Sequence, residues 1–173
     1  MPSWQPLKGD KATYEKYNAR AKEMAAGWAA SAKEGAKGDA HYRLAFDRDN
    51  TWSQKYNLVW DKLWNTGIFP AEVMPTEISY YLKKQNQYGL PLDCRKDYTK
   101  SDWIMWTAAM SPDRKTLDKF VDPLYDYINT TGTRVAISDW YDTVTGLKTG
   151  FMARCVIGGH WMPVLASRIA SQR

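Results

Sequence analysis

The tripeptide Ser-Asp-Trp occurs twice in the chain, as Ser101-Asp102-Trp103 and as Ser138-Asp139-Trp140. A carboxylate followed by an indole suits a pocket for a glycan or another polar ligand: the acid handles protons or hydroxyls, and the ring gives a flat apolar floor. Both copies lie in connections where polar groups crowd beside aromatics, residues 88–103 and 134–143, and a third such run covers residues 46–57. Each acid also has a plain structural reading. Asp102 suits a helix start, where the dipole favours negative charge. Asp142, before Thr143, is a turn former. For Asp139, which precedes no helical pattern, site and turn stay level. If two of these acids are a working pair of glycosidase type, their carboxyl groups stand about 5–5.5 Å or 6.5–9.5 Å apart.

Other constellations carry less. His41, His160, Cys94 and Cys155 have no CxxC or HxxxH spacing, so no metal site is expected. His160 follows Gly158-Gly159, where it either lines a pocket or is a satisfied histidine at a helix start. Cys155 and His160 are near in sequence only, which is thin ground for a thiolate nucleophile. No phosphate-cradling glycine loop or dinucleotide fingerprint is present, and no cofactor is expected.

The elements that must position these groups are helical wherever the apolar spacing is regular. Tyr14, Tyr17, Ala21, Met24, Ala25 and Trp28 predict a helix from about Asp10 to Glu34, ended by Gly35 and Gly38. Trp52, Tyr56, Val59, Trp60 and Leu63 predict a second, stopped at Asn65-Thr66-Gly67. A third runs from Pro75 to about Asn86. Ser101 is placed to cap a short fourth. Ser111-Pro112-Asp113 reads as cap, proline and acidic first turn of a fifth, which Pro123 should kink. A sixth starts after Gly158-Gly159 with Pro163 in its first turn. Strand-like pieces are confined to Tyr42–Phe46, Arg134–Ser138 and a ribbon around Thr143–Phe151. Trp28, Trp60, Trp64 and Trp106 fall on helical faces and are read as core. The class is all-α: one domain over residues 1–173, with long irregular connections and one short β-ribbon.

Composition bounds the function. The 173 residues carry 24 Lys and Arg against 19 Asp and Glu, a net charge of +5, with nine Trp and eleven Tyr. The two signs are interspersed and no basic stripe exists, which argues against a nucleic-acid partner. A mean hydropathy of −0.59 and the lack of an 18-residue apolar run leave no membrane span. The aromatic content argues against disorder. The N-terminal run MPSWQPLKGD has no apolar signal-peptide core, so an exported parent protein would carry its signal elsewhere.

The aromatic-polar runs also carry a resemblance. Residues 52–63 (WSQKYNLVWDKL), 88–93 (YGLPLD), 97–103 (DYTKSDW), 138–143 (SDWYDT) and the stretch from Ala153-Arg154 to Gly158-Gly159 resemble the glutaminase A family of fungi and bacteria. Cys94 and Cys155 depart from the pattern, where a small residue such as serine is expected. The resemblance implies hydrolysis of glutamine to glutamate and ammonia. It also implies a C-terminal position in a large secreted or periplasmic protein, within a six-helical-hairpin region like the α/α toroids of glycoside hydrolases.

Twelve helices with ordinary connections need roughly 350–450 residues. Six predicted helices therefore make about half of such a toroid, with an incomplete cleft. Uncovered apolar faces would then favour self-association or contact with the remaining N-terminal part of the parent. On this reading Asp102 and Asp139 are the leading catalytic acids, with Asp142 a third. Asp93, Arg95, Lys100, Trp103, Trp140, Tyr141 and His160 line the pocket, its cations meeting a substrate carboxylate. The rival readings are a carbohydrate-active or glycan-binding domain, and a helical fragment inactive on its own.

Overall fold

The computed structural model describes residues 10–36 and 38–172, so most of the N-terminal run considered above lies outside the described residues. Six α-helices carry the described chain: α1 (Lys11–Ala32), α2 (Val59–Trp64), α3 (Val73–Tyr81), α4 (Ser101–Ala109), α5 (Arg114–Thr130) and α6 (Met162–Ser171). Between them lie two antiparallel ladders of two strands each. One pairs β1 (Lys33–Glu34) with β2 (His41–Tyr42), and the other pairs β3 (Tyr98–Lys100) with β4 (Trp140–Asp142). The fold is mostly α, with no larger sheet among the described residues.

The core centres on α4, which packs against α5, α6 and the 3-10 turn Cys155–Trp161. Ile104 and Ala108 of α4 are fully buried, as is Phe120 of α5. The long α1 buries only Ala25, Ala29 and Ala32, small side chains that let its last turns approach closely. There Trp28 stacks on Tyr42 with ring centres 5.1 Å apart.

Local chemistry sets several boundaries differently from the periodicity. Trp52 to Lys55 are not helical: a 3-10 turn (Tyr56–Leu58) leads into a six-residue α2, closed by Asn65 in the left-handed conformation. The reason is that this run spends its side chains tying loops together. Gln54 donates to the carbonyls of Leu90 and Pro91 and to Thr99, and accepts from the Thr107 hydroxyl. Lys55 Nζ reaches the carbonyls of Tyr42 and Ser53 at 2.7 and 3.0 Å, with the buried Glu77 carboxylate 3.8 Å away.

The third helix spans Val73–Tyr81 rather than starting at Pro75. The fifth is capped by Asp113, whose carboxylate accepts from the Thr116 amide, not by Ser111. Pro123 does not interrupt α5. It cannot donate to the carbonyl one turn back, Lys119 O, and that carbonyl accepts instead from Gln85 Nε2 at 2.9 Å. Residues 134–138 form no strand, whereas β3, unforeseen in the sequence, does. The ribbon is present: the Asp142 amide donates to Leu147 O and that of Thr149 to Trp140 O, turned through Gly146 at φ +67°. Trp28, Trp60 and Trp106 pack against the core as expected, but Trp64 is 45% exposed.

Candidate functional site

Three pieces of backbone meet at the start of α4: the β3–β4 ladder, the first turn of α4, and the connection leading to α6. Lys100 faces Trp140 in the ladder, and the Ser101 amide donates to the Asp139 carbonyl at 2.8 Å. This bond places the two Ser-Asp-Trp copies side by side.

Asp139 is fully buried and doubly paired. Lys100 Nζ donates to Oδ2 at 3.1 Å, Arg154 Nε donates to Oδ1 at 3.1 Å, and Arg154 Nη2 makes a close contact with Oδ2. Burial alone would push this carboxyl up, but the hydrogen bonds and charges of Arg154 and Lys100 outweigh it and hold it below its ordinary value. The cations are themselves seated on rings: Lys100 Nζ lies 4.4 Å from the centre of Trp140 and 4.7 Å from that of Phe151, and the Arg154 guanidinium lies 4.3 Å from Phe151.

Asp102 has the opposite environment. It is 6% exposed, and its Oδ1 has no hydrogen-bond partner. Burial pushes its carboxyl above the ordinary value, the negative charge of Asp139 adds to this, and Lys100 and Arg154 oppose it. One turn along α4 the buried Trp106 Nε1 is also without a partner. Gly159 passes between these two side chains. A Cβ there would lie 2.8 Å from both Asp102 Cβ and Trp106 Nε1, so glycine alone permits the approach.

The next residue, His160, sets Nε2 2.9 Å from Ser101 Oγ. Burial pulls its imidazole below the ordinary value, against the attraction of Asp139. Ser101 is the first residue of α4 rather than its cap: Lys100 holds the cap position, with no side-chain capping bond, and the Ser101 hydroxyl is spent on His160.

Two carboxylates with pKa values driven apart, two cations and a histidine therefore share one cluster. Such an arrangement can hold one acid ionised as an electrostatic support while the other exchanges protons.

The remaining sequence-predicted residues stand elsewhere. Tyr141 points to the other side of β4, stacks on Tyr127 at 3.6 Å and donates to the Tyr88 carbonyl, so it belongs to the core. Asp142 closes the ribbon turn, where Oδ1 accepts from the amides of Val144 and Thr145 and from the Thr145 hydroxyl. Trp103 stacks on Tyr56 at 4.1 Å, on the face of α4 that carries Trp106. Asp93 and Arg95 pair with each other in a separate polar depression of about 280 Å³, shared with Lys84 and Asp97.

Arg154 and the Ser101 hydroxyl were not legible as site groups. The sole signal for Arg154 was its place in a family-like run. Among the described residues, no three His, Cys, Asp or Glu side chains are grouped to hold a metal ion, and no helix is long and apolar enough to cross a membrane. An apolar cleft of about 620 Å³ between α1 and the loop after α2, lined by Tyr14, Tyr17, Trp60, Trp64 and Phe69, includes none of the cluster.

The sequence model of the glutaminase A six helical-hairpin domain matches residues 2–164. The chain is 36% identical over 122 residues to Glutaminase A of Aspergillus oryzae, an alignment covering 69% of this chain and 18% of that protein. It is 28% identical over 151 residues to a probable glutaminase of Arthroderma benhamiae, covering 70% of this chain and 17% of that protein. The chain thus spans less than a fifth of the length of these curated relatives. No solved structure matches it at a significant level.

Proposed function

The chain belongs to the glutaminase A six helical-hairpin domain family, and on that premise we propose that it is a working part of an amidohydrolase that splits glutamine into glutamate and ammonia. The observation that carries this reading is the acid pair at the start of α4. Asp102, buried with an unpartnered oxygen, takes the proton of an attacking water. Asp139, locked between Lys100 and Arg154, supports the cluster's charge and fixes the ladder against α4. The indole of Trp140 forms the floor beside them.

The rival reading, a glycan-binding or carbohydrate-active domain, has only the aromatic cleft by α1 in its favour, and the acid pair does not reach it. The proposal has the chain act within a larger, exported protein, seated against further helical hairpins. Outward apolar residues at α6 support this: Trp161 is 70% exposed, and Val164 and Leu165 are exposed beside it, while Met162, Ala166 and Ile169 pack inward. A helix apolar on both faces is built to be covered on both. Taken alone, the chain would then self-associate.

The test is ammonia release from L-glutamine, run beside sugar release from an oligosaccharide panel, with the natural protein that carries this chain. Ammonia without sugar supports the amidohydrolase; sugar without ammonia replaces it with the rival.

A further inference from the structure

We propose that the outer edge of the Arg154 guanidinium is the anchor for a free carboxylate on the substrate, so that the site selects small molecules with an unblocked acid group. The inference rests on the amidohydrolase reading and names the substrate class of that site.

Two sequence-predicted cations, Arg95 and Lys100, were candidates for holding a substrate carboxylate, with His160 lining the same pocket, and the structure commits all three elsewhere. Arg95 is paired with Asp93 in a different depression. The Lys100 side chain is only 11% exposed, and its ammonium is committed to Asp139 and to two aromatic faces. His160 is turned to Ser101. Arg154, which the sequence did not single out, is 36% exposed along its side chain while one edge is fixed on Asp139.

A guanidinium has five N–H donors, and Asp139 takes those on Nε and one side of Nη2. No other oxygen among the described residues accepts from it. Its face is held by Phe151. The group is therefore fixed along one edge and over one face, while its side chain is partly exposed and its remaining donors have no partner among the described residues. That is how a planar fork is prepared for a carboxylate at small entropic cost.

An anion docked on Arg154 lies beside its pair with Asp139. It also places the rest of a small substrate near the Asp102 carboxylate, whose field Arg154 feels.

The experiment is calorimetric titration of the full chain with L-glutamine and with its α-methyl ester, in which the carboxylate is blocked. The wild-type chain is expected to bind L-glutamine about 10- to 100-fold more tightly than the ester, the range for losing a charge-assisted hydrogen bond pair. Arg154→Gln should erase that preference. Because it also strips one partner from buried Asp139, Phe151→Ala serves as a second variant: the ring is half exposed, and its removal should narrow the preference several-fold without unfolding the chain.

Equal affinity for the two ligands in the wild type, no binding of either, or a preference that survives Arg154→Gln overturns the inference. Failure of the hydrolytic reading looks different: the carboxylate preference persists while the natural protein releases no ammonia.

Discussion

Asp102→Asn is expected to lower glutamine turnover by about 100-fold or more, the usual contribution of a positioned proton-transfer group, while leaving the thermal midpoint unchanged or slightly raised. The two halves of this expectation have one cause. A buried carboxylate with an oxygen that bonds to nothing costs folding free energy, and its neutral isostere costs less. A residue kept at a cost to stability is kept for another reason.

The pH dependence follows from the sign of the shift. Burial raises the folded-state pKa of Asp102 above its unfolded value, so its penalty is absent at acid pH, where both states are protonated. The penalty grows as pH rises from the unfolded to the folded pKa. Any stability gain of Asp102→Asn should therefore appear on the neutral side and vanish in acid. Ammonia assays at neutral pH, with thermal melts across the acid range, check both halves. A variant with wild-type turnover would remove Asp102 from the chemistry.

Asp139→Asn should act the other way on stability. It leaves Lys100, largely buried, and Arg154 facing one another with no negative charge between them. Removing one partner of a buried pair costs about 3 kcal/mol or more. For a chain of this size that corresponds to a fall of roughly 6–12 °C in the thermal midpoint. The folded-state pKa of Asp139 lies below its unfolded value, so the stability it contributes is fully present above the unfolded pKa. It is lost as pH falls through the folded pKa. The gap between wild type and variant should be widest near neutral pH and close in strong acid. A variant as stable as wild type at neutral pH would mean that the ion pairs carry no net energy. Activity of Asp139→Asn is thus read together with its melt, since a loss of turnover alone does not separate support from chemistry.

These two acids show how far composition and spacing reach. The repeated Ser-Asp-Trp was visible, and the Ser101–Asp139 backbone bond does bring its two copies together. What spacing could not show was the division of labour, because that depends on Arg154, fifteen residues beyond Asp139 in a connection without periodicity. Tyr141 was grouped with Trp140 because they are adjacent in sequence. In a strand adjacency means opposite faces, and β4 is too short to show alternation.

Helix α1 was legible from its apolar spacing, but it ends at Ala32 rather than Glu34: Lys33 turns extended into β1, and Gly35 and Gly38, both at positive φ, serve the connection from β1 to β2 instead of capping the helix. The stretch before α2 was not legible, since Gln54 and Lys55 bond to partners 13 to 53 residues away. Side-chain commitments of that reach override a local apolar period. Much of the family-like run 52–57 is thereby accounted for as structure rather than as site.

The central claim is that the start of α4, and not the aromatic cleft by α1 or the Asp93–Arg95 depression, is where the substrate binds. Backbone amide shifts of the isotopically labelled chain during titration with L-glutamine test it most directly. The account predicts perturbations concentrated at residues 100–103, 139–140 and 151–160. Shifts confined to residues 13–21 and 57–69, or to residues 84–97, would contradict it.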